Sequence, residues 1–434
     1  MAKKVAICTL GCKVNTYESE AVRKQFENHG YISVDFSDSA DVYIINTCTV
    51  THLGDRKSRQ MIRRTKQINP YSTLVVMGCY AQVAPDEVEK IKEVDIIIGT
   101  ARKAHIYDAV AEFLENNKKQ NLVCDISHKT DFEELEVTSY EGRTRAILKI
   151  QDGCNNFCSY CIIPYARGRI RSRSIKSSVN EAKRLAEHGF CEIVLVGIHI
   201  ASFGRDTGES LIDLLTQLND IDGIKRIRMG SLEPTLFSDE FTQKLSKLPK
   251  ICRHFHLSLQ SGCDETLKRM NRKYTTADYM ESVKRIRSAF KDAAITTDIM
   301  VGFPGETGAE FDSTMKFVNE VSFAEAHIFK YSIRRGTVAE KMPNQVAPEV
   351  KEERSKRLIE LTNKTRDSFL SSHIDKEESV LFEREYKGKK GYYEGKTDNY
   401  ITVIAKSDTD VSGEIKGVKI HYVKKGVAEG TILG

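Results

Sequence analysis

The stretch that decides the fold reads Asp152-Gly153-Cys154-Asn155-Asn156-Phe157-Cys158-Ser159-Tyr160-Cys161. The apolar run 146–151 just before it reads as a strand, so three cysteines with C-x3-C-x2-C spacing sit in a polar loop past a strand's carboxyl end. A loop this short can aim three thiolates at one cuboidal iron-sulfur cluster and leave the fourth iron without a protein ligand. Electron-carrying [4Fe-4S] sites normally take four cysteines, and structural zinc sites take four ligands with paired C-x2-C spacing. The triplet therefore points to a cluster that binds something at its open iron. Three unconnected core cysteines would be the bland alternative, and the Asn and Gly residues around them argue against it.

Working outward, strand candidates at 146–151, 192–197, 225–231, 254–259, 294–301 and 326–331 alternate with helical patterns such as 177–188 and 277–290. Six βα units predict a partial (β/α)6 TIM-like barrel, short of the eight that close one. A charged helical segment, 347–372, follows. Upstream, strands at 5–9, 42–46, 74–77 and 95–98 alternate with helices at 16–29, 54–68 and 85–92, which predicts an open, mostly parallel sheet. The tail from 373 turns to short alternating strands with Gly and Asp-Asn turns, a small all-β barrel. The fold class is thus α/β in three parts: an open parallel α/β domain over 1–125, a core over 143–372 and a β-barrel over 373–434. A polar, acidic linker at 126–142 joins the first two, with a short strand around 122–126.

Bulk properties agree with several domains, since 434 residues with 40% hydrophobic content exceed one core. No apolar run reaches membrane-spanning length and the chain opens directly on a strand, so a soluble, cytoplasmic protein without membrane contact is expected. Eleven cysteines in such a protein are expected to stay reduced. The net charge of +5 does not by itself indicate nucleic acid.

Cys12, Cys48 and Cys79 each lie one to three residues beyond the end of a predicted strand. In a parallel sheet those ends share one edge, where such folds bind ligands. The three thiols can converge there, or they can be small residues packed at strand ends; topology leaves both open. Cys8, Cys124, Cys191, Cys252 and Cys263 read as buried thiols.

The cysteine loop, with an aromatic before its second and third cysteines, is the signature of radical S-adenosylmethionine enzymes. With Thr9-Leu10-Gly11-Cys12-Lys13-Val14-Asn15, Asn46-Thr47-Cys48 and Gly78-Cys79-Tyr80-Ala81-Gln82, the whole chain resembles the methylthiotransferase family. That resemblance implies two [4Fe-4S] clusters, one on Cys154, Cys158 and Cys161 that activates S-adenosylmethionine, and one on Cys12, Cys48 and Cys79 that carries sulfur. It also implies that the tail is similar to the RNA-binding TRAM domain. Three substrates divide the family: tRNA with N6-threonylcarbamoyladenosine, tRNA with N6-isopentenyladenosine, and a ribosomal-protein aspartate. The opening motif, Asp55-Arg56-Lys57-Ser58-Arg59-Gln60 and Arg269-Met270-Asn271-Arg272-Lys273-Tyr274 resemble the threonylcarbamoyl branch, which implies methylthiolation at position 37 of the anticodon loop with a low-potential electron donor. In Tyr331-Ser332-Ile333-Arg334-Arg335-Gly336-Thr337, Ile333 stands where the family generally has Pro.

Further residues follow. Glu233 and Gln260 end predicted barrel strands, whose carboxyl ends face the mouth, so they are candidate cofactor contacts. Gly302 and Pro304, in Gly302-Phe303-Pro304-Gly305-Glu306-Thr307, resemble the loop that sets backbone against the adenine of S-adenosylmethionine. Arg167, Arg169, Arg171 and Arg173 could neutralise tRNA phosphates, and Lys389 and Lys390 beside Tyr392 and Tyr393 suit stacking on loop bases. A noncatalytic iron-sulfur protein that binds RNA through its tail is the reading from another functional class.

Overall fold

The computed structural model describes residues 2–49, 52–137, 140 and 142–433. Its first layer is a six-stranded, wholly parallel sheet of β1 (Lys4–Thr9), β2 (Ile32–Val34), β3 (Val42–Thr47), β4 (Thr73–Gly78), β5 (Ile96–Ile98) and β6 (Gln120–Asn121), ordered β2-β1-β3-β4-β5-β6. The central strands β3 and β4 are buried along their whole length because α1 (Lys13–Asn28), α2 (His52–Ile68), α3 (Cys79–Val83), α4 (Pro85–Glu89) and α5 (Ile106–Asn116) cover both faces. The strand order reverses at β1, which makes the β1/β3 junction the place where the loops part and a crevice opens.

The sheet reproduces the expected parallel layer, with β2, α3 and α5 added. Helix α5 carried its signal in the buried series Ile106, Ala109, Val110 and Phe113, spaced for one helix face. The strand expected around 122–126 ends instead at Asn121. Leu122 makes one more ladder bond, to the Ile97 carbonyl at 2.8 Å, before the chain leaves the sheet. The segment expected to be a linker is packed: Leu135, Val137 and Tyr140 join the core formed by Val14 and Tyr17. The Tyr17 hydroxyl donates to the Leu135 carbonyl at 2.6 Å.

The second layer begins with β7 (Arg145–Lys149), the short antiparallel pair β8 (Gln151–Asp152) and β9 (Arg171–Ser172), and α6 (Ile163–Arg167) between them. It continues through α7 (Ile175–Glu187), β10 (Glu192–Val196), α8 (Leu211–Asn219), β11 (Arg226–Met229), α9 (Asp239–Ser246), β12 (His254–His256), α10 (Asp264–Arg269), α11 (Thr276–Ala289), β13 (Ala294–Val301), α12 (Gly308–Val321), β14 (Glu325–Lys330) and α13 (Pro348–Ser371). Strands β7, β10 and β11 form one parallel sheet and β12, β13 and β14 another. Single bridges, Ile227 to Ile251 and Leu232 to Leu257, join the two into an open six-stranded barrel. Strands β7, β10 and β11, buried along nearly their whole length, and one apolar face on each helix fill its main core.

The tail is a closed five-stranded barrel of β15 (Glu377–Glu385), β16 (Tyr392–Thr397), β17 (Thr402–Lys406), β18 (Ile415–Lys424) and β19 (Val427–Ile432), around Val380, Phe382, Val403, Val418 and Ile420. Among the described residues, no helix is long and apolar enough to cross a membrane.

Candidate cluster and substrate site

Three loops at the carboxyl edge of the first sheet carry Cys12, Cys48 and Cys79, and backbone chemistry draws them together. Gly11 has φ +99°, and a Cβ there would stand 2.8 Å from Cys48 Cβ and 2.9 Å from its sulfur. Only glycine lets the β1 and β3 loops approach so closely. The Asn15 amide nitrogen donates to the Leu10 carbonyl (2.7 Å) and the Thr47 carbonyl (3.1 Å), and the Thr47 hydroxyl donates to the Met77 carbonyl (2.6 Å). These bonds lock the loops after β1, β3 and β4 to one another. Cys12 is exposed, Cys48 half-buried and Cys79 buried, so the edge opens on the Cys12 side.

The second set follows β8. Gly153 has φ +71°, and a Cβ there would overlap the Arg169 carbonyl at 1.8 Å, so glycine lets the loop fold against the turn after α6. The Cys154 amide donates to the Gly168 carbonyl at 3.0 Å and the Ser159 amide to the Met270 carbonyl at 3.0 Å. The Asn271 side chain donates to the Phe157 carbonyl at 3.0 Å. The loop is thus fastened from both sides. Tyr160 lies edge-on to Phe303 at 6.3 Å, which ties the loop to the segment holding Gly302 and Pro304.

Among the described residues no three His, Cys, Asp or Glu side chains close on a single metal ion. A four-iron cube presents its irons at separate corners, so its thiolates stand further apart than the ligands of one ion. Burial pushes the Cys79 and Cys154 thiols up to about 11 and the Cys161 thiol up to about 12. Bare, they are protonated; a strongly cationic centre is what would deprotonate them. Two sets of three thiols in polar, glycine-bearing loops fit two open-cornered clusters.

Each set has an arginine behind it. Arg167, at the end of α6 and wholly buried, reaches Cys79 Sγ from Nε at 3.3 Å. Arg272 reaches Cys158 Sγ at 3.3 Å and the Glu233 carboxylate at 3.0 Å. Donors of this kind orient thiolate ligands and offset their charge. Helix α6 is a spacer of five residues between Cys161 and Arg167. At 1.5 Å of rise per helical residue it is about 7.5 Å long.

Arg167 also anchors a buried charge network. Its guanidinium meets Glu18 at 2.5 and 3.1 Å, Asn15 at 2.6 Å and Asp152 at 3.3 Å. Lys149 adds contacts to Glu18 (2.8 Å) and Asp152 (2.7 Å), and Lys103 to Glu18 (3.4 Å). Burial raises the Glu18 carboxyl, but Arg167 and the two lysines outweigh it and hold the group down at about 2. A further strap comes from the segment carrying Ile333. Ile333 itself is exposed, while the next residue, Arg334, is buried and pairs with Asp55 and with the Thr49 hydroxyl, next to Cys48.

The expected cofactor contacts are distributed as follows. Glu233 accepts from Asn156 of the cysteine loop at 2.8 Å and pairs with His199 at 2.9 Å; burial raises its carboxyl, and His199 and Arg272 bring it below its ordinary value. Gln260 has φ +68° and its backbone continues the ladder, its amide to the Asp298 carbonyl at 2.9 Å and its carbonyl to the Met300 amide at 2.8 Å. Gly302 has φ +70°, and a Cβ there would meet Lys351 of α13 at 2.3 Å. Pro304 gives its carbonyl to Arg269 at 3.3 Å.

The arginine run requires a correction. Arg167, Arg171 and Arg173 are 0%, 4% and 2% exposed, so they present no surface to RNA phosphates. Arg171 bonds the carbonyls of Arg167 and Arg169, and Arg173 pairs with Glu134 and Glu181, each at 2.8 Å. Their charges are already spent inside the protein. Arg169 is exposed, with its guanidinium 4.8 Å above the Phe157 ring. Lys389 and Lys390 are exposed too, Lys389 lying 3.6 Å over Tyr392 and 2.9 Å from Glu429. Of the five cysteines expected to be buried, only Cys252 is; Cys8, Cys124, Cys191 and Cys263 are half-buried.

A cavity of about 800 Å³ joins all three parts of the chain. Cys12 and Lys13 enter from the first sheet, Arg228, His256 and Asp298 from the core barrel, and Lys396 and Tyr400 from the tail. This composite pocket was invisible in the sequence, because its walls come from segments nearly 400 residues apart.

Comparison with known proteins agrees with this architecture. The radical SAM superfamily matches residues 148–318, and an uncharacterized protein family, UPF0004, matches residues 4–99. Over 96% of its length the chain is 43% identical to the threonylcarbamoyladenosine tRNA methylthiotransferase MtaB of Bacillus subtilis, covering 93% of that protein. It is 38% identical to the tRNA-2-methylthio-N(6)-dimethylallyladenosine synthase of Pelotomaculum thermopropionicum, over 96% of this chain and 95% of that one. Among solved structures, the radical S-adenosylmethionine methyltransferase TsrM of Kitasatospora setae shares the fold, with a TM-score of 0.56 at 15% identity over 76% of this chain and 73% of that one. The chain belongs to the radical S-adenosylmethionine methylthiotransferase family. Membership implies a [4Fe-4S] cluster and S-adenosylmethionine.

Proposed function

We propose that this chain converts N6-threonylcarbamoyladenosine at position 37 of tRNA to its 2-methylthio derivative. The observation that carries the reading is the juxtaposition of two three-cysteine sets across α6, with a cavity opening on Cys12. The likeness to MtaB over nearly the whole chain supports the threonylcarbamoyl substrate.

Cys154, Cys158 and Cys161 would hold a cluster that reduces S-adenosylmethionine to a hydrogen-abstracting radical, and Cys12, Cys48 and Cys79 one that carries the sulfur to be transferred. The C2–H bond of adenine has no useful acidity, so a base could not open it at neutral pH. The protein's part is to hold the groups in place and keep water out. Glu233 and Arg272 fix the first loop by binding Asn156 and Cys158. Arg167 sets Cys79 relative to that loop. Arg169 and Lys389 are exposed, and with the half-buried Tyr392 they suit RNA phosphates and bases. The enzyme would work in the cytoplasm beside tRNA, fed by a low-potential electron donor.

The test is anaerobic incubation of the reconstituted chain with dithionite, S-adenosylmethionine and tRNA carrying the threonylcarbamoyl group, followed by mass spectrometry of nucleosides. The methylthio product and 5′-deoxyadenosine should both form. Replacing Cys12, Cys48 and Cys79 by Ala should drop bound iron from about eight to about four per chain while 5′-deoxyadenosine persists. No 5′-deoxyadenosine from the intact protein would sink the enzyme reading, and product only on isopentenyl-bearing tRNA would move the substrate.

A further inference from the structure

At the end of the 800 Å³ cavity where α1 meets the tail barrel, positive charge converges on one ring. Lys396 Nζ lies 4.6 Å, the Arg228 guanidinium 4.8 Å and the Arg145 guanidinium 5.5 Å from the Tyr400 centroid, and His254 stacks on the same ring at 4.6 Å. Burial pushes the Tyr400 phenol up, yet Arg145, Lys13 and Lys396 outweigh it and the hydroxyl falls below its ordinary value. The spot already favours negative charge.

These cations are not equivalent. Arg228 is neutralised by Glu192 at 2.7 Å and Arg145 by Glu383 at 2.7 Å. Among the described residues, Lys13 and Lys396 have no carboxylate within 4 Å; Lys396 Nζ donates to the Thr402 hydroxyl at 2.7 Å. Asp298 faces His256 at 3.4 Å, and burial lowers Lys396 although Tyr400, Glu383 and Glu325 oppose it. Two ammonium groups, one next in sequence to Cys12, thus line this open cavity, Lys13 exposed and Lys396 half-buried, and neither is ion-paired to a carboxylate among the described residues.

We propose that Lys13 and Lys396 form the reader of a carboxylate on the N6 substituent of the target adenine, and so select acidic over neutral substituents. The proposal rests on the substrate reading above. Placement favours a substituent carboxylate over a backbone phosphate: the pair shares a cavity wall with Cys12, so the group it holds must hang from the base that reaches Cys12. A lysine pair split between the first sheet and the tail barrel would also form only when both are docked on the core.

The experiment uses the reconstituted full chain and three anticodon stem-loop RNAs, bearing the threonylcarbamoyl acid, its methyl ester, or an isopentenyl group. The intact protein should use the ester with kcat/KM on the order of ten- to a hundred-fold below the acid, the loss expected for a charge-assisted hydrogen bond. Lys396→Met and Lys13→Gln should each lose a similar factor on the acid, chiefly in KM, and leave the ester unchanged, while Lys396→Arg recovers most of the acid rate. Equal use of acid and ester by the intact protein overturns the proposal. So does a Lys396→Met variant that slows both alike, which marks a structural role. Weaker binding of all three RNAs with a shallower salt dependence would assign the pair to phosphate and likewise overturn it. The substrate reading fails differently: the intact protein then rejects acid and ester alike and modifies only the isopentenyl RNA.

Discussion

Replacing Arg167 by Met is the sharpest test of the buried network between the first sheet and the core. The variant keeps the volume of the side chain's stem but removes five polar contacts, to Glu18 twice, Asn15, Asp152 and Cys79. Removing one partner of a buried ion pair costs about 3–5 kcal/mol, because the other charge is left in the interior. Here Lys149 and Lys103 remain on Glu18, and Lys149 on Asp152, so the lower end, about 3 kcal/mol, applies. At about 2–4 °C per kcal/mol for a unit of 150–250 residues, the melting midpoint should fall by about 6–12 °C. Anaerobic scanning fluorimetry of the cluster-free chain near neutral pH measures it. The double variant Glu18→Gln with Arg167→Met should be no more stable than the single variant, since Glu18 still pairs with Lys103 and Lys149 and its removal strands the buried Lys103. A single variant that melts within about a degree of the parent, or a double variant that recovers most of the loss, would refute the reasoning.

Three other outcomes follow from particular contacts. The Glu18 carboxyl is held at about 2 in the folded chain, below its unfolded value, so its contribution is full above about pH 4.5 and is lost as pH falls toward 2. Urea midpoints followed through that window should drop more steeply in the parent than in Glu18→Gln. Gly302→Ala places a Cβ against Lys351 in a left-handed backbone and should cost about 1–3 kcal/mol by thermal melting, with part of the loss relieved by Lys351→Ala. Arg272→Gln gives up the contacts to Cys158 and Glu233 and should cut 5′-deoxyadenosine formation about ten- to a hundred-fold or weaken iron retention. Unchanged iron content and rate would show that Arg272 does not serve that loop.

What was legible in the sequence was whatever repeats locally. The six core strands and the parallel first sheet announce themselves by apolar runs at regular spacing, and the cysteine loop by its own ten residues. Arg167, Arg171 and Arg173 were misread for the opposite reason. A run of arginines looks like a solvated face until its carboxylates are found, and Glu18 lies 149 residues from Arg167. Glu233 could be placed because strand ends point to a barrel's mouth, whereas its bond to Asn156 spans 77 residues and leaves no local trace. The cavity is the extreme case: Lys13 and Lys396 carry no motif that pairs them, and only the docking of the tail barrel brings them to one wall.

The strap from Arg334 to Asp55 bears on how the protein is made. The two residues are 279 positions apart in the chain. At a synthesis rate of about 5–20 residues per second, Asp55 is polymerised roughly 14–56 s before its partner. Glu18 waits in the same way for Arg167. For that interval the nascent first sheet lacks its Arg334 strap beside Cys48, and Glu18 has only Lys103 to pair with. On the reading that Cys12, Cys48 and Cys79 hold a cluster, a truncated chain ending before residue 334 should retain less iron at that edge than the full chain does.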